Sequence, residues 1–269
     1  MTLDGTTKFH IVNTSGDWGL ATSSLSGNNC IILTGNFNIT NIATFSGATT
    51  NVTIIGNNKT ITHTGSSFCF YITSASSVTI KDVHLRSNSG YGAQLVNLNG
   101  GGVTFTMQGN SSISGNSGPG VFLHTPLDKF IMDGGTISDN GGTGVVLSSG
   151  IFYMNGGTIS GNRSGGVDVT SNSTFYMNGG TISGNSAIYG GGVHVDGATI
   201  IGVPANFIMS GGTISGNTAT SGFGHSLYVN IAGTYTVQYG SGETIGLTST
   251  TDGGGATHQY VNTALTGKK

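Results

Sequence analysis

Between residues 104 and 230, apolar and polar side chains alternate in short runs, and the runs return in the same order. Period-two alternation belongs to β-strands, whose successive side chains point to opposite faces. Residues 164–185 show one unit: Val167 and Val169, then Phe175 and Met177, then Ile182. A nonapeptide, Met-x-Gly-Gly-Thr-Ile-Ser-x-Asn, closes successive units at 132–140, 154–162, 177–185 and 209–217, with a degenerate copy at 107–116. The steps between these methionines are 22, 23 and 32 residues. Self-similarity at such a period means that one unit cannot bury its apolar side alone, so copies must stack. Three short strands per repeat predict an all-β, three-sided parallel β-helix whose coils hydrogen-bond to one another at about 4.8 Å. The six-residue period of a left-handed hexapeptide helix is absent.

The repeat assigns inward columns. Phe105, Phe130, Phe152, Phe175 and Phe207 are expected along one wall, and Met107, Met132, Met154, Met177 and Met209 along the next. Ile113, Ile137, Ile159, Ile182 and Ile214 line another face, and pairs from Val121/Leu123 to Leu227/Val229 complete each coil. The Gly-Asn pair after most Ile-Ser steps is a turn signal, because both residues tolerate left-handed backbone angles. Asn116, Asn140, Asn162, Asn185 and Asn217 are expected to hydrogen-bond from coil to coil. Upstream, 30–33, 37–39, 52–55, 60–62, 68–72 and 78–85 carry the alternation less regularly. Open ends of stacked strands invite aggregation, so caps are expected. Trp18, Ala21 and Leu25 at helical spacing behind a Ser15 or Asp17 N-cap predict a short N-terminal helical cap. The organisation is one domain: a cap over 1–27, coils over 28–233, and a C-terminal cap and tail over 234–269, with 234–238 and 260–265 closing that end.

Composition narrows the class. Of 269 residues 49 are glycine, 35% are hydrophobic and only 7% are charged; beside regular apolar runs, that glycine marks turns. A formal charge of −2 leaves no electrostatic footprint for nucleic acid or an anionic membrane. No apolar run is long enough to predict membrane insertion. Cys30 and Cys69 lie in apolar runs and read as small buried hydrophobes, with a single disulfide as the alternative. Dense Asn, Ser, Thr and Gly with scarce Lys and Glu fits a secreted or cell-surface bacterial protein, and the start Met1-Thr-Leu-Asp4 reads as one left after removal of a signal peptide.

The run Ile-Ser-Gly-Asn-Ser-Ala-Ile-Tyr-Gly-Gly-Gly-Val-His-Val at 182–195, with the Gly-Gly-Thr-Ile-Ser-Gly-Asn repeats, resembles exported right-handed parallel β-helix proteins of gut and oral bacteria. These are pectate-lyase-like solenoids. It is similar also to the Phe-x-x-Asn and Gly-Gly-Ala-Ile repeats of chlamydial polymorphic outer-membrane passengers, with Ile in place of Phe. The resemblance covers 105–230 well and the earlier coils loosely. Within this group the chain looks most like noncatalytic β-helix carbohydrate-binding modules attached to plant-polysaccharide hydrolases, xylan binders among them. The resemblance therefore implies a polysaccharide partner and fusion to a glycoside hydrolase in the full-length protein. The architecture itself hosts lyases, hydrolases and adhesins alike.

Catalysis on this scaffold needs carboxylates, calcium ligands or arginines gathered on one face. The acidic residues are nine Asp and Glu243, the arginines Arg86 and Arg163. No facing carboxylate pair for glycoside hydrolysis is legible, and the Asn-Thr-Asp, Asp-Asp, Gly-His-Gly and Arg-Ile-Lys motifs of polygalacturonase-like hydrolases are missing. The segment Lys81-Asp82-Val-His84-Leu-Arg86 points His84 and Arg86 outward together and reads as a solvated strand end. The expectation is a non-enzyme with no catalytic residue, no metal site and no cofactor; Asp133 and Asp139 with turn carbonyls keep calcium as an option.

Binding is read from outward rows. Thr106, Ile131, Tyr153, Tyr176 and Ile208 form one, apolar on the solvent side and in want of a partner, with Asp133, Asn155, Asn178 and Ser210 beside it. Sugar C–H faces pack on tyrosine rings while sugar hydroxyls meet the amides. A second face carries Phe122, Val146, Asp168, His194 and Tyr228, with Asp168 and His194 about 5 Å apart on adjacent coils. Loops that lengthen along the stack bring Tyr189 and Phe223 to its edge and make a groove. The candidate ligand-binding set is Tyr153, Tyr176, Asn155, Asn178, Asp168, His194, Tyr189 and Tyr228. Thr136/Ser138, Thr158/Ser160, Thr181/Ser183 and Thr213/Ser215 form hydroxyl columns that resemble the arrays of β-helical antifreeze proteins. The leading reading is a noncatalytic module that binds an extended polysaccharide, xylan first. A bacterial adhesin or stalk, an ice-binding protein, and a lyase or hydrolase are the alternatives.

Overall fold

Alternation in the sequence becomes three walls of short strands. The computed structural model describes residues 7–23, 25–46, 50–73, 77–88, 90–95, 102–170, 172–197, 203–230, 235–251 and 257–267. On the first wall, strands Thr104–Gln108, Lys129–Met132, Gly150–Met154, Ser173–Met177 and Ala205–Met209 lie parallel and in register. Phe105, Phe130, Phe152, Phe175 and Phe207 stack inside it, ring centroids 4.8 to 5.4 Å apart. The methionine column runs inside the same wall, which corrects the expectation of a separate one. Phe and Met stand two residues apart in each strand, and such residues share a side.

Strands from Ser112–Ser114 to Thr213–Ser215 build the second wall around the isoleucine column. Those from Val121–Leu123 to Leu227–Asn230 build the third. The Phe, Met, Ile and Val columns are buried, and each such side chain contributes about 1.5–3 kcal/mol by leaving water. Upstream, Asn51–His63 and Ser77–Ser87 each serve two walls in one bent strand. The bends fall at Asn57, Asn58 and Asp82, which take positive φ.

Corners are set by two demands. The residue before each column asparagine is left-handed: Gly115, Asp139, Gly161, Gly184 and Gly216 have φ between 55° and 66°. The asparagines themselves do not share that conformation; their work is in the side chain. Oδ1 of Asn162 accepts from both the backbone N–H and Nδ2 of Asn140, at 3.2 and 2.9 Å, while its own Nδ2 donates to the Ile137 carbonyl. The pattern repeats from Asn116 to Asn217, and all five side chains are buried. A glycine faces this ladder in each coil. A Cβ on Gly144 would stand 2.6 Å from Ile159 Cγ2 and 2.9 Å from Asn162 Nδ2, so no larger residue fits there.

The stack begins with strand Lys8–Val12, parallel to Asn28–Leu33 and upstream of residue 28. The helix Ser15–Ser23 follows it and closes the end of the core. Its N-cap is Thr14, in place of the expected Ser15 or Asp17. Asp17 N–H donates to Thr14 Oγ1, and the Asp17 carboxylate accepts from the Asn13 and Thr14 amides and the Thr14 hydroxyl. These bonds, the hydroxyl's first, hold the Asp17 carboxyl below its usual pKa. Trp18 packs on Phe37, Phe45 and Phe70, with centroids 5.8 to 6.3 Å apart. At the other end, Tyr235–Tyr239 continues the first wall. Thr257–Val261 then runs antiparallel against the third wall with Thr248–Thr251 antiparallel on its outer edge, and Leu265–Thr266 runs antiparallel against the second. Cys30 shares an outward column with Phe9 and Thr53, whereas Cys69 is in the core; both are free thiols, and burial raises the pKa of each.

Replacing Asn162 by Ala leaves the Asn140 backbone N–H without its acceptor in a buried corner and removes the side-chain links to Asn140 and Asn185 on either side. A loss of about 2–4 kcal/mol is expected in denaturant unfolding. His63 supplies a second test. It is buried in the second wall, its Nδ1 3.5 Å from Ser87 Oγ and its Nε2 without a partner. Burial lowers its pKa below 6.5, against the smaller opposing pull of the Thr40 and Ser67 carbonyls, neither of which reaches hydrogen-bond geometry at Nε2. The unfolded chain therefore takes up a proton that folded His63 resists. Its stabilising contribution is complete above about pH 6.5 and is lost as pH falls toward the depressed folded value. Melts from about pH 7.5 to about pH 5 should show Tm falling, and His63→Leu should flatten that fall.

Candidate functional site

The first wall's outward row is continuous: Ile131, Tyr153, Tyr176 and Ile208 are neighbours in register. Tyr153 and Tyr176 stack with centroids 5.1 Å apart and planes within 6°. Two parallel rings lying flat and side by side on the sheet would overlap at that separation. The planes therefore stand up from the wall and stack on each other, turning edges and hydroxyls to solvent. The row is a ridge, and it offers a sugar less ring face than its sequence implies. Asn155 and Asn178, expected beside it to meet sugar hydroxyls, belong to an exposed ladder. Gln108 and Asn155 amides donate to the two oxygens of Asp133, Asn178 donates to Asn155 Oδ1, and the Ser210 hydroxyl donates to Asn178 Oδ1, at 2.8 to 3.1 Å.

The third wall holds the other four candidates together. Asp168, His194 and Tyr228 are register neighbours on consecutive coils. His194 Nδ1 lies 3.1 Å from Asp168 Oδ1, each side chain about 30% exposed. The pair meets the distance of an ion pair but is not aligned as a hydrogen bond, and that Asp168 oxygen has no other partner. Tyr189 packs over Tyr228 and His258, with centroids at 4.8 and 5.7 Å. Behind them Phe223 stacks on His258 at 4.4 Å and meets Tyr260 at 5.2 Å. The Tyr228 hydroxyl and His258 Nδ1 are 3.0 Å apart.

Two long corner loops build the outer wall of this site. Ser186–Ala187 pairs with Thr218–Ala219 as a short ladder. The Thr220 and Ser221 amides extend it by donating to the Ala187 and Ile188 carbonyls. Between this flap and the third wall lies a cleft of about 530 Å³, lined by Arg163, Ser164, Ile188, Tyr189, His194 and Thr220 among others. Arg163 makes no ion pair among the described residues. Arg163, Ile188, Thr220 and His258 are not in the candidate binding set read from the sequence, although Arg163 and the loops that carry Ile188 and Thr220 belong to the lengthening series read there. Arg163 was findable, because it follows Asn162 at the corner where Ser186 and Thr218 follow theirs. His258 was not, since it arrives on an antiparallel strand outside the repeat.

Other candidate chemistry is absorbed by the scaffold. Asp82 accepts from the Asn110 amide at a strand bend, and His84 Nδ1 lies 2.7 Å from Ser112 Oγ, leaving Arg86 exposed. The Thr/Ser columns of the second wall keep register over four coils and are continued upstream by Ser112/Ser114, then by His84 and Arg86. Among the described residues no three His, Cys, Asp or Glu side chains gather at one point, and no helix is long and apolar enough to cross a membrane.

The family model described as right handed beta helix region matches residues 68–245, about two thirds of the chain. No curated protein and no solved structure matches it.

The tyrosine ridge can be tested for coupling. In a double-mutant cycle of Tyr153→Ala and Tyr176→Ala, the stacked pair should give about 0.5–1.5 kcal/mol of interaction energy in denaturant unfolding; additive losses would place the rings apart in solution.

Proposed function

The chain belongs to the right-handed β-helix family, and from that premise we propose that it is a noncatalytic module that binds polysaccharide in the cleft beside Tyr189 and His194. One observation carries the reading: an aromatic ring, an unpaired guanidinium, an imidazole braced by a carboxylate, and several hydroxyls converge on one concave surface of a chain otherwise poor in charge. Apolar rings with a few convergent polar groups suit saccharides, whose C–H faces and hydroxyls need both. Tyr189 is 38% exposed and so has surface to give. Asp168 and Tyr228 hold His194 and Tyr189 in place from below.

A binding role is favoured over hydrolysis because no Asp or Glu is among the described residues that line the cleft, and glycoside hydrolysis works with two carboxylates. The proposed ligand is an extended plant cell-wall glycan such as xylan, and the proposed setting is outside the cell, alongside a glycoside hydrolase. Tyr153 and Tyr176, with Asn155 and Asn178, form a secondary surface on another wall.

Affinity electrophoresis with xylan, mixed-linkage glucan, pectin and mucin tests the reading. Retardation by at least one is expected, with Tyr189→Ala weakening it about tenfold or more, equivalent to about 1.4 kcal/mol. The double variant Tyr153→Ala/Tyr176→Ala should retain it. Failure of every glycan, intact or partly hydrolysed, to bind would falsify the carbohydrate reading and favour an adhesin or spacer.

A further inference from the structure

The cleft is closed at one end. Its lining draws on the corner at Arg163 and Ser164, the loop around Tyr189, and Thr220 on the following coil. Tyr228, Phe223, His258 and Tyr260, which lie farther along toward the C-terminal cap, take no part in it. The reason is Tyr189, whose ring packs on Tyr228 and His258 and seals the gap between flap and wall. The seal is backed, because Phe223 on the flap's second loop stacks on His258 of the closing antiparallel strand. Asn262 ties the same parts together: its Oδ1 accepts from the Gly224 and His225 amides and its Nδ2 donates to the Gly222 carbonyl.

Toward the N-terminal coils the wall carries no ring over Asp168 and Val146, and the next aromatic side chain in that column is Phe122, on which Tyr91 packs with centroids 5.6 Å apart. The corners at 141–142 and 117–119 are short and lie directly against one another, the Gly142 amide donating to the Gly118 carbonyl. A chain laid along the third wall past Asp168 thus enters freely at Arg163 and meets a wall of rings at Tyr189.

We infer that this cleft receives the end of a glycan chain and does not clasp its middle. The inference rests on the glycan-binding reading above and narrows its ligand to chain termini. A ligand that passes through a site gains nothing from being cut, whereas one held by its terminus becomes more abundant with every cut. The wild-type protein is therefore titrated against xylan, mixed-linkage glucan, pectin and mucin, each intact and after limited endo-hydrolysis, at equal sugar mass. For the glycan that binds, potency per gram should rise by the same factor as the number of chain ends. Potency that stays constant or falls on digestion overturns end recognition while leaving glycan binding in place. Absence of binding by every intact and digested glycan removes both.

Discussion

Register between coils is the constraint on which the rest of the molecule depends. Neighbouring coils of 22 and 23 residues must place identical side chains at identical heights, and a slip of one residue would turn every inward column outward. The buried asparagines forbid that slip. Each amide is shared between the backbone of the coil before it and the asparagine of the coil after it, so a displaced coil strands several polar groups away from water at once. The glycine opposite the ladder lets the corner close on those amides. Hydrophobic burial supplies most of the stabilisation, but it is indifferent to which phenylalanine sits above which; the amide ladder is not.

Once register is secured, the outer surface becomes an ordered set of rows, and each wall has a different character. The first presents a ridge of two tyrosines flanked by isoleucines and an amide ladder. The second presents hydroxyls, and the third an Asp, a His and a Tyr on successive coils. The third is furnished with long loops at its corner with the second, where eight residues lead from Asn185 to Val193 and ten from Asn217 to Leu227, against five from Asn162 to Val167. The concave site therefore arises where the repeat is least faithful, as befits loops on a rigid scaffold.

What the repeat made legible, and what it hid, follow from this division. The Phe, Ile and Val columns could be read because periodic identity reports which residues share a height. Sharing of one wall by Phe and Met was misassigned, although period two already implies it. The strand Lys8–Val12 and the Thr14 cap were missed because both lie outside the repeat. Alternation also says which side a tyrosine takes but not how its ring tilts, so Tyr153 and Tyr176 were placed correctly while their faces were not. The closing strand that delivers His258 and Tyr260 runs against the ladder, and no spacing argument reaches it.

The identical neighbours of the interior coils have one more consequence. A coil such as 141–162 finds the same phenylalanine, methionine, isoleucine and asparagine above it as below it. Tandem duplication of one such unit would thus meet only surfaces already matched to it, leaving both caps and the loop-walled cleft untouched. Length is in that sense a freely heritable variable for this protein, and growth of the stack sets how far the cleft stands from the N-terminal cap.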